Sequence, residues 1–313
     1  MSGPIETADV PNDADIRPCA EAPTMEITPS RVARVDGQAV RRALPYRGRR
    51  TVGAWCFADH MGPSMVDGGP GLGIGPHPHI GLQTVTWLVS GEVLHRDSLG
   101  SEQLIRPGQL NLMTAGSGVA HAEESPTNFR GELHGIQLWV AQPERTRHGA
   151  PAFEHHAELP RVDFGNAEAT VLVGDFGGTV SPARRDTEHV GVDLVLSPGR
   201  RALPLESDYE YAMVVLDGAV TVNNETLTPG HLGYLGLHRQ ELPLVTTEAT
   251  RLLLLGGLPF ESPVLMWWNF VGRTREEIES AAQSWQSQDG RFPAVNTELQ
   301  RISAPPIPWR TAG

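Results

Sequence analysis

Four side chains in two short alternating pairs could hold a metal ion. The first pair lies in the fragment Gly75-Pro-His77-Pro-His79, and the second lies further along the chain in His121-Ala-Glu123. Residues i and i+2 of a β-strand point to the same face, so each pair can aim both side chains at one place. Imidazole is a ligand for iron, zinc, nickel and copper, and an added carboxylate oxygen favours iron, manganese or nickel. The matching spacing of the two pairs, both in Gly-rich and strand-like surroundings, predicts one shared metal site.

The composition argues against several other functions. The chain has 313 residues, with 37 acidic and 25 basic side chains and a formal net charge of −12. This acidic balance argues against direct binding to nucleic acid or to an anionic membrane surface. Every basic residue is arginine. Without lysine, the chain cannot carry out Schiff-base chemistry or bind pyridoxal phosphate through a lysine.

The cysteines and the terminal sequence bear on location. Cys19 lies in a polar segment and Cys56 in a strand-like run, which does not indicate a disulfide framework and fits a reducing compartment. The N-terminus lacks the basic and apolar regions of a signal peptide. No apolar stretch approaches the roughly 18 residues of a membrane span. We expect a cytoplasmic monomer that does not contact a membrane.

The distribution of residue types predicts three segments. Residues 1–25 are rich in Pro, Ala, Asp and Glu, which predicts a disordered acidic tail. From Glu26 to about residue 260, short β-branched runs alternate with Gly and Pro, a pattern typical of all-β barrels. We expect a metal-binding barrel over residues 26–150. A second barrel, with a C-terminal helix and tail, should occupy residues 151–313.

An internal repeat indicates that the two barrels are copies of one unit. The run Leu88-Val-Ser-Gly-Glu-Val93 precedes Pro107-Gly108, and the similar run Val215-Leu-Asp-Gly-Ala-Val220 precedes Pro229-Gly230. The glycine inside each run predicts equivalent hairpin turns, because glycine permits the positive φ of a tight turn. The second copy carries neither metal-binding pair. We therefore expect a metal-free, structural second barrel.

One helix is predicted near the end of the chain. Thr274-Arg-Glu-Glu277 has the form of a capping box, in which each end residue can satisfy a backbone N–H of the other. An apolar stripe with helical spacing follows it, made of Ile278, Ala281, Ala282 and Trp285. This pattern predicts a helix packed on a barrel.

At these motifs the sequence resembles the pirin family of the cupin superfamily, from roughly Arg41 to Arg291. The fragments that carry the resemblance are Arg41-Arg-Ala-Leu-Pro45, Phe57-Ala-Asp-His-Met-Gly-Pro63, Gly75-Pro-His-Pro-His79, His95-Arg-Asp-Ser98, Met113-Thr-Ala-Gly116, Gly118-Val-Ala-His-Ala-Glu123, Leu133-His-Gly-Ile-Gln-Leu-Trp139 and Thr274-Arg-Glu-Glu-Ile278. The resemblance implies a bicupin fold, that is, two double-stranded β-helix (jelly-roll) barrels. It also implies one mononuclear metal in the N-terminal barrel, usually iron.

Carried over by motif, the metal ligands would be His77, His79, His121 and Glu123. The metal would be Fe(II), with Mn, Ni, Zn and Cu as alternatives. Four protein ligands leave two positions open on an octahedral ion, which a substrate hydroxyl and dioxygen could occupy. Glu123 would then be the catalytic residue that accepts the substrate proton.

The resemblance leaves two functional classes open. The first is a quercetin (flavonol) 2,3-dioxygenase, which acts on a small aromatic or enol substrate and dioxygen. The second is a non-enzymatic regulator that senses the oxidation state of iron and binds a transcription factor or a metabolic enzyme. A purely structural metal is a third, weaker alternative.

The chain departs from the family pattern beside the ligands. Pirins commonly read His-Arg-Gly-Phe-Glu-Thr after the second ligand position, whereas this chain reads Ile80-Gly-Leu-Gln83-Thr84. Gln83 occupies the place at which the general cupin motif has a glutamate ligand. A neutral amide cannot act as a general base near neutral pH. Any chemistry that needs a carboxylate would therefore rest on Glu123.

Residues around the ligands are open to more than one interpretation. Ligating imidazoles usually donate their second N–H to an oxygen, and the candidate partners are Asp59, Gln83 and Gln137. His60 and His134 have two interpretations: they lie near the pocket, or they have a structural role only. Three apolar residues also have two interpretations, as the lining of an apolar pocket or as part of the hydrophobic core. They are Trp87, Trp139 and Met113.

Overall fold

The computed structural model describes residues 25–35, 37–67 and 71–309. The predicted disordered tail, except for residue 25, lies outside the described residues. Within them the chain forms 26 strands and one helix. Among the helical residues described, none form a segment with the length and apolarity that a membrane crossing demands.

The first half of the chain contains twelve described strands, of which the longest are buried over most of their length. They are Glu26–Pro29 (β1), Arg31–Val35 (β2), Gln38–Leu44 (β3), Trp55–Asp67 (β4), Gly73–His79 (β5), Leu82–Ser90 (β6), Val93–Asp97 (β7), Glu102–Ile105 (β8), Leu110–Thr114 (β9), Val119–Glu124 (β10), Arg130–Ala141 (β11) and Ala152–His156 (β12).

The second half of the chain contains shorter strands and ends in the helix. These elements are Arg161–Asp163 (β13), Ala167–Val173 (β14), Asp175–Phe176 (β15), Thr179–Val180 (β16), His189–Leu196 (β17), Gly199–Pro204 (β18), Glu210–Asp217 (β19), Val220–Val222 (β20), Glu225–Leu227 (β21), His231–Gly236 (β22), Glu241–Thr246 (β23), Thr250–Gly257 (β24), Leu265–Trp267 (β25), Phe270–Gly272 (β26) and Arg275–Ser287 (α1).

Two barrels are built from these strands, each from a seven-stranded and a four-stranded sheet. In the first barrel the sheet orders are β12-β9-β6-β11-β4-β3-β2 and β5-β10-β7-β8. In the second they are β1-β22-β19-β24-β17-β14-β13 and β18-β23-β20-β21. Neighbouring strands run antiparallel, for example β5 with β10 and β18 with β23. The predicted all-β architecture of two barrels with a C-terminal helix is confirmed.

Each barrel includes one strand from the segment of the chain that we assigned to the other barrel. Strand β1 lies in the segment predicted for the first barrel but pairs with β22 of the second barrel. Strand β12 follows residue 151 but pairs with β9 of the first barrel. Backbone hydrogen bonds therefore cross the boundary that we placed between residues 150 and 151 in both directions, and the predicted domain boundaries remain predictions.

A shared apolar core lies between the two seven-stranded sheets. Val85 and Leu138 of the first barrel belong to one buried cluster with Val214 and Leu253 of the second. The indole of Trp55 adds a polar link, because its Nε1 donates to the carbonyl oxygen of Val190 at 3.0 Å. The sheets that form the two barrels thus pack on each other through their outer faces.

The repeated glycines turn corners between sheets rather than forming hairpins. Gly91 has a φ of 90° and Gly218 a φ of 73°, so the expected positive φ is confirmed. The strands that flank each glycine, however, lie in different sheets of the same barrel. The predicted hairpins are wrong because the short turn carries the chain from the seven-stranded to the four-stranded sheet.

The C-terminal segment covers the outside of the first barrel. The capping box is confirmed, since the Thr274 side chain accepts the N–H of Glu277 at 3.2 Å. The apolar stripe of α1 packs on Ile80 and Ala120. Beyond the helix, the chain runs along β5, where the N–H of Ile302 donates to the carbonyl oxygen of Pro76 at 2.9 Å.

The Gly-rich stretch before the first histidine pair is partly a strand. The frequent glycines over residues 68–75 are typical of a loop, but residues 73–75 belong to β5. Residues 68–70 lie outside the described part of the chain. A Cβ on Gly75 would lie 1.8 Å from the carbonyl oxygen of Gln300. Glycine is needed here because the C-terminal segment crosses directly over the backbone.

Candidate metal centre

Strands β5 and β10 bring the two predicted pairs face to face. His77 lies directly opposite His121 in the antiparallel ladder, and their ring centroids are 4.3 Å apart. The ladder becomes irregular between His121 and Glu123. Such a bulge changes the direction of a side chain. The site is thus positioned by a local interruption of the strand pair that carries it.

The four predicted residues converge inside the first barrel. Ligand atoms of His77, His79 and His121 all lie within 4.8 Å of one another, and so do those of His95, His121 and Glu123. All five side chains are buried. The structure therefore places the predicted residues in two groups that share His121 and that together form the candidate metal cluster, and it adds His95 to the second group.

Backbone carbonyls set the orientation of the first two imidazoles. Nδ1 of His77 lies 2.9 Å from the carbonyl oxygen of Gly75, and Nδ1 of His79 lies 2.9 Å from that of Asn269. A carbonyl only accepts, so each Nδ1 donates and the lone pair of each neutral ring resides on Nε2. Asn269 belongs to the turn between β25 and β26, which brings the C-terminal segment into the site.

Side-chain contacts set the orientation of the third imidazole. Nε2 of His95 lies 3.1 Å from Oδ2 of Asp97, and Nδ1 of His95 lies 3.3 Å from Nδ1 of His121. Oδ1 of Asp97 is held by the backbone N–H groups of Leu99 and Ser101. The carboxylate of Asp97 accepts a hydrogen bond from Nε2–H of His95, so Nδ1 of the neutral His95 ring accepts from His121. The lone pair of His121 is thereby assigned to Nε2.

Two lone pairs consequently face each other. Nε2 of His79 lies 3.1 Å from Nε2 of His121, and the assignments above leave neither nitrogen with a proton. Two neighbouring ligands of one ion, each about 2.1 Å from it, lie about 3.0 Å apart. The separation fits a cation that binds both nitrogens, and the chemistry of the donor set fits a divalent metal.

Burial keeps the imidazoles in the form that binds metal. It lowers the pKa of His77 to about 4 and lowers the pKa values of His79 and His121 well below the ordinary range. Neutral imidazole is the ligand form of histidine. Metal binding near neutral pH would therefore not have to displace protons from these rings.

A polar side-chain link connects the carboxylate to the barrel wall. The hydroxyl of Thr86 lies 3.4 Å from Oε1 of Glu123 and 2.9 Å from Oε1 of Gln137. Gln137 thus comes near the site, although it reaches the carboxylate through Thr86 rather than an imidazole. Asp59, another proposed imidazole partner, instead forms a buried two-pronged ion pair with Arg42, with both N–O distances 2.7 Å.

The remaining candidates divide between the site and the core. His60 and His134 bond to each other, with their Nε2 atoms 2.8 Å apart, which favours the structural interpretation. Trp87 belongs to the apolar core between the barrels. Trp139 and Met113 belong to a separate cluster in the first barrel, and the Trp139 ring lies 5.3 Å from that of His79.

Comparison with known families agrees with this arrangement. The family model for pirin matches residues 37–140, and the model for the pirin C-terminal cupin domain matches residues 191–293. The chain belongs to the pirin family. The first match contains the candidate metal cluster and the second contains most of the other barrel, so the whole bicupin arrangement is shared with the family.

Individual relatives cover three quarters or more of this pirin. A Pseudomonas aeruginosa protein named putative quercetin 2,3-dioxygenase is 44% identical over 99% of both chains. A crystal structure of quercetin 2,3-dioxygenase from Acinetobacter baumannii has a TM-score of 0.89 and 43% identity, covering 92% of this chain and 97% of its own. The Escherichia coli pirin YhhW, crystallised with nickel(II), shares the fold at a TM-score of 0.62 and 17% identity, covering 75% of this chain and 99% of its own.

The two departures from the pirin pattern lie away from the metal cluster. Alternation along β6 places Gln83 on the face opposite Thr84 and Thr86, and its Nε2 donates to Oγ1 of Thr114 at 3.0 Å. Ile80 is buried in the cluster beneath α1. Gln83 is therefore not positioned to replace a ligand, and Ile80 packs under the helix instead of altering the charge of the site.

The residues that sequence reasoning missed are His95 and Asp97. Their i, i+2 spacing on β7 repeats the spacing of the two predicted pairs, and both belong to a fragment that carries the pirin resemblance. The spacing alone could have marked them as a third inward-pointing pair. Their link to His121 depends on the pairing of β7 with β10, which opposes His95 to Glu123.

Proposed function

We propose that this pirin is an iron-dependent dioxygenase that opens the ring of a flavonol such as quercetin. The observation that carries the proposal is the pair of facing Nε2 lone pairs in a buried cluster that also contains a carboxylate. The names of its full-length relatives support the same activity. Quercetin and dioxygen would give a ring-opened ester and one carbon monoxide, which conserves all atoms.

The metal would be held by His77, His79, His121 and Glu123. We propose Fe(II), because three imidazoles and one carboxylate suit a borderline divalent ion, with Mn, Ni, Zn and Cu as alternatives. The bound ion would act as a Lewis acid toward the substrate hydroxyl and would mediate electron transfer to dioxygen.

The protein side chains would orient the substrate and move one proton. An oxygen of Glu123 would accept the proton of the flavonol hydroxyl, since carboxylates serve as general bases when positioned within hydrogen-bond reach. The Thr86 hydroxyl, 3.4 Å from this carboxylate, would help to hold its orientation. The burial of the whole cluster would exclude bulk water.

Oxygen consumption tests the proposal. Iron-loaded protein and quercetin should consume one dioxygen for each carbon monoxide released, measured with an oxygen electrode and by gas analysis. His77→Ala should abolish the uptake, whereas the matched variant Leu203→Ala, in the core of the second barrel, should retain it. Uptake by the wild type no greater than that of His77→Ala would reject the enzyme.

A second candidate function is regulation through a protein partner. A groove of about 380 Å³ on the first barrel is bordered by Val32 and Met65, whose exposed fractions are 71% and 73%. Exposed apolar side chains beside a groove favour protein binding. A pull-down from the native host with oxidised and with reduced iron tests this candidate, and the same empty list of partners in both states would exclude it.

A further inference from the structure

Two buried N–H donors on one strand of the first barrel have no acceptor. They are Nε2 of Gln137 and Nε1 of Trp139, both on β11. A buried donor without a partner costs about 1–3 kcal/mol, so native proteins rarely leave one unsatisfied. Their presence beside a candidate active site indicates that a bound molecule supplies the acceptors.

The side chains that carry both donors lie beside residues of the metal cluster. Oε1 of Gln137 is fixed by the hydroxyl of Thr86 at 2.9 Å, and the same hydroxyl lies near Glu123. The indole of Trp139 meets the ring of His79 edge-on, with centroids 5.3 Å apart, and stacks on Phe57. Spacing i, i+2 places the two side chains on the same face of the strand. The side chain of Gln137 therefore lies near the carboxylate and that of Trp139 lies beside an imidazole.

We propose that Gln137 and Trp139 bind the oxygen atoms of the substrate and so select for a planar compound with several oxygens. This inference rests on the proposed function and specifies its substrate class. A flavonol carries an enol oxygen beside a carbonyl oxygen, and both accept hydrogen bonds. Gln137 and Trp139 are positioning residues, because they hold the substrate and transfer no proton.

The neighbouring strand supplies matched controls. Gln83 and Trp87 on β6 also have a buried polar atom without a partner, Oε1 and Nε1 respectively. They lie on the opposite face of the sheet, where Trp87 packs in the core between the barrels. The controls thus share residue type, burial and sheet with the test residues but face away from the metal cluster.

Anaerobic binding of quercetin to metal-loaded protein tests the inference without turnover. Gln137→Leu and Trp139→Phe should each weaken binding about tenfold, the size expected for one hydrogen bond to a charged or strongly polar oxygen. Gln83→Leu and Trp87→Phe should change the dissociation constant less than about twofold, on the same scale. Elemental analysis should give the same metal content in all five proteins.

Several results would overturn the inference. The first is that both test variants bind quercetin as tightly as the wild type. The second is that test and control substitutions weaken quercetin binding equally. The third is that the wild type does not bind quercetin. Oxygen uptake separates this inference from the enzyme proposal. Selective loss of binding in the test variants without any uptake by the wild type would reject the dioxygenase and retain the binding residues. Oxygen uptake by the wild type, with quercetin binding unchanged in the test variants, would support the dioxygenase and reject Gln137 and Trp139 as binding residues.

Discussion

The two barrels share one strand order but differ in what fills their interiors. Strands β5 and β10 of the first barrel occupy the same places in their sheet as β18 and β23 of the second. Where the first pair opposes His77 to His121, the second opposes Leu203 to Leu242. The leucines at the positions that correspond to the candidate ligands are Leu203, Leu205, Leu242 and Leu244.

The same substitution of polar by apolar residues extends to the supporting side chains. Alignment of the two repeated runs places Val222 at the position of His95, and Val222 is fully buried in the second barrel. Buried leucine stabilises a fold by about 1.5–3 kcal/mol, whereas a buried polar group contributes only if it is paired. The interior of the second barrel is thus apolar at the positions where the first barrel carries its buried histidines and carboxylate.

The largest expected effect is loss of metal from one barrel only. His121→Ala removes a ring that contacts both parts of the cluster, and the protein should no longer hold stoichiometric metal after dialysis. Leu242→Ala, at the equivalent position, should retain metal and lose about 2–5 kcal/mol of unfolding free energy. Elemental analysis and denaturant titration measure the two effects. Full metal content in His121→Ala would contradict the assignment.

A smaller effect on metal binding is expected when His95 of the first barrel is replaced by valine, the residue at the equivalent position of the second barrel. His95→Val and Asp97→Asn should each weaken metal binding about 10–100-fold, because His121 loses the partners that orient its ring. Competition with a chelator measures the affinity. Val222→Ala is the control and should leave the affinity unchanged. If the His95 and Asp97 variants matched that control, the proposed orienting role would be wrong.

The pH dependence of stability should report a buried histidine of the second barrel. Burial lowers the pKa of His189 to about 4, from an unfolded value of about 6.5. Below about pH 6.5 the unfolded chain binds the extra proton, so stability falls as the pH is lowered toward 4. The contribution lost between about pH 7.5 and about pH 5 is about 2 kcal/mol.

Urea titrations of the metal-free wild type and His189→Gln at both pH values measure this contribution. The variant should lose about 2 kcal/mol less than the wild type on acidification. Equal losses in the two proteins would show that His189 does not contribute. Metal-free protein is used so that release of metal from the first barrel does not affect the comparison.

The smallest effect is expected at the helix that covers the first barrel. Thr274→Ala removes the acceptor for the N–H of Glu277 and should cost about 1 kcal/mol of unfolding free energy. Thermal unfolding compared with the exposed substitution Thr247→Ala measures it. A loss no larger than that of the control would indicate that the cap does not stabilise the helix.

Local patterns in the sequence predicted those features that depend on neighbouring residues. The i, i+2 spacing of His77 with His79 placed both on one face of a strand, and the Thr274 capping box located the start of α1. The positive φ of Gly91 also followed from residue type. Each of these depends on backbone geometry within a few residues, which the sequence specifies directly.

Features that depend on strand pairing could not be predicted in this way. The role of His95 requires β7 to lie beside β10. The face of the sheet on which Gln83 lies depends on how the side chains of β6 alternate between the inside and the outside of the barrel. The exchange of β1 and β12 between barrels joins segments far apart in the chain.

The sequence by itself determined which residues could bind a metal, because spacing along a strand fixes the face on which side chains lie. Tertiary structure alone decided which imidazole nitrogens face each other, because that depends on partners such as the carbonyl of Asn269 and the carboxylate of Asp97. Those partners come from other strands and turns, and only packing of the whole chain brings them within hydrogen-bond distance.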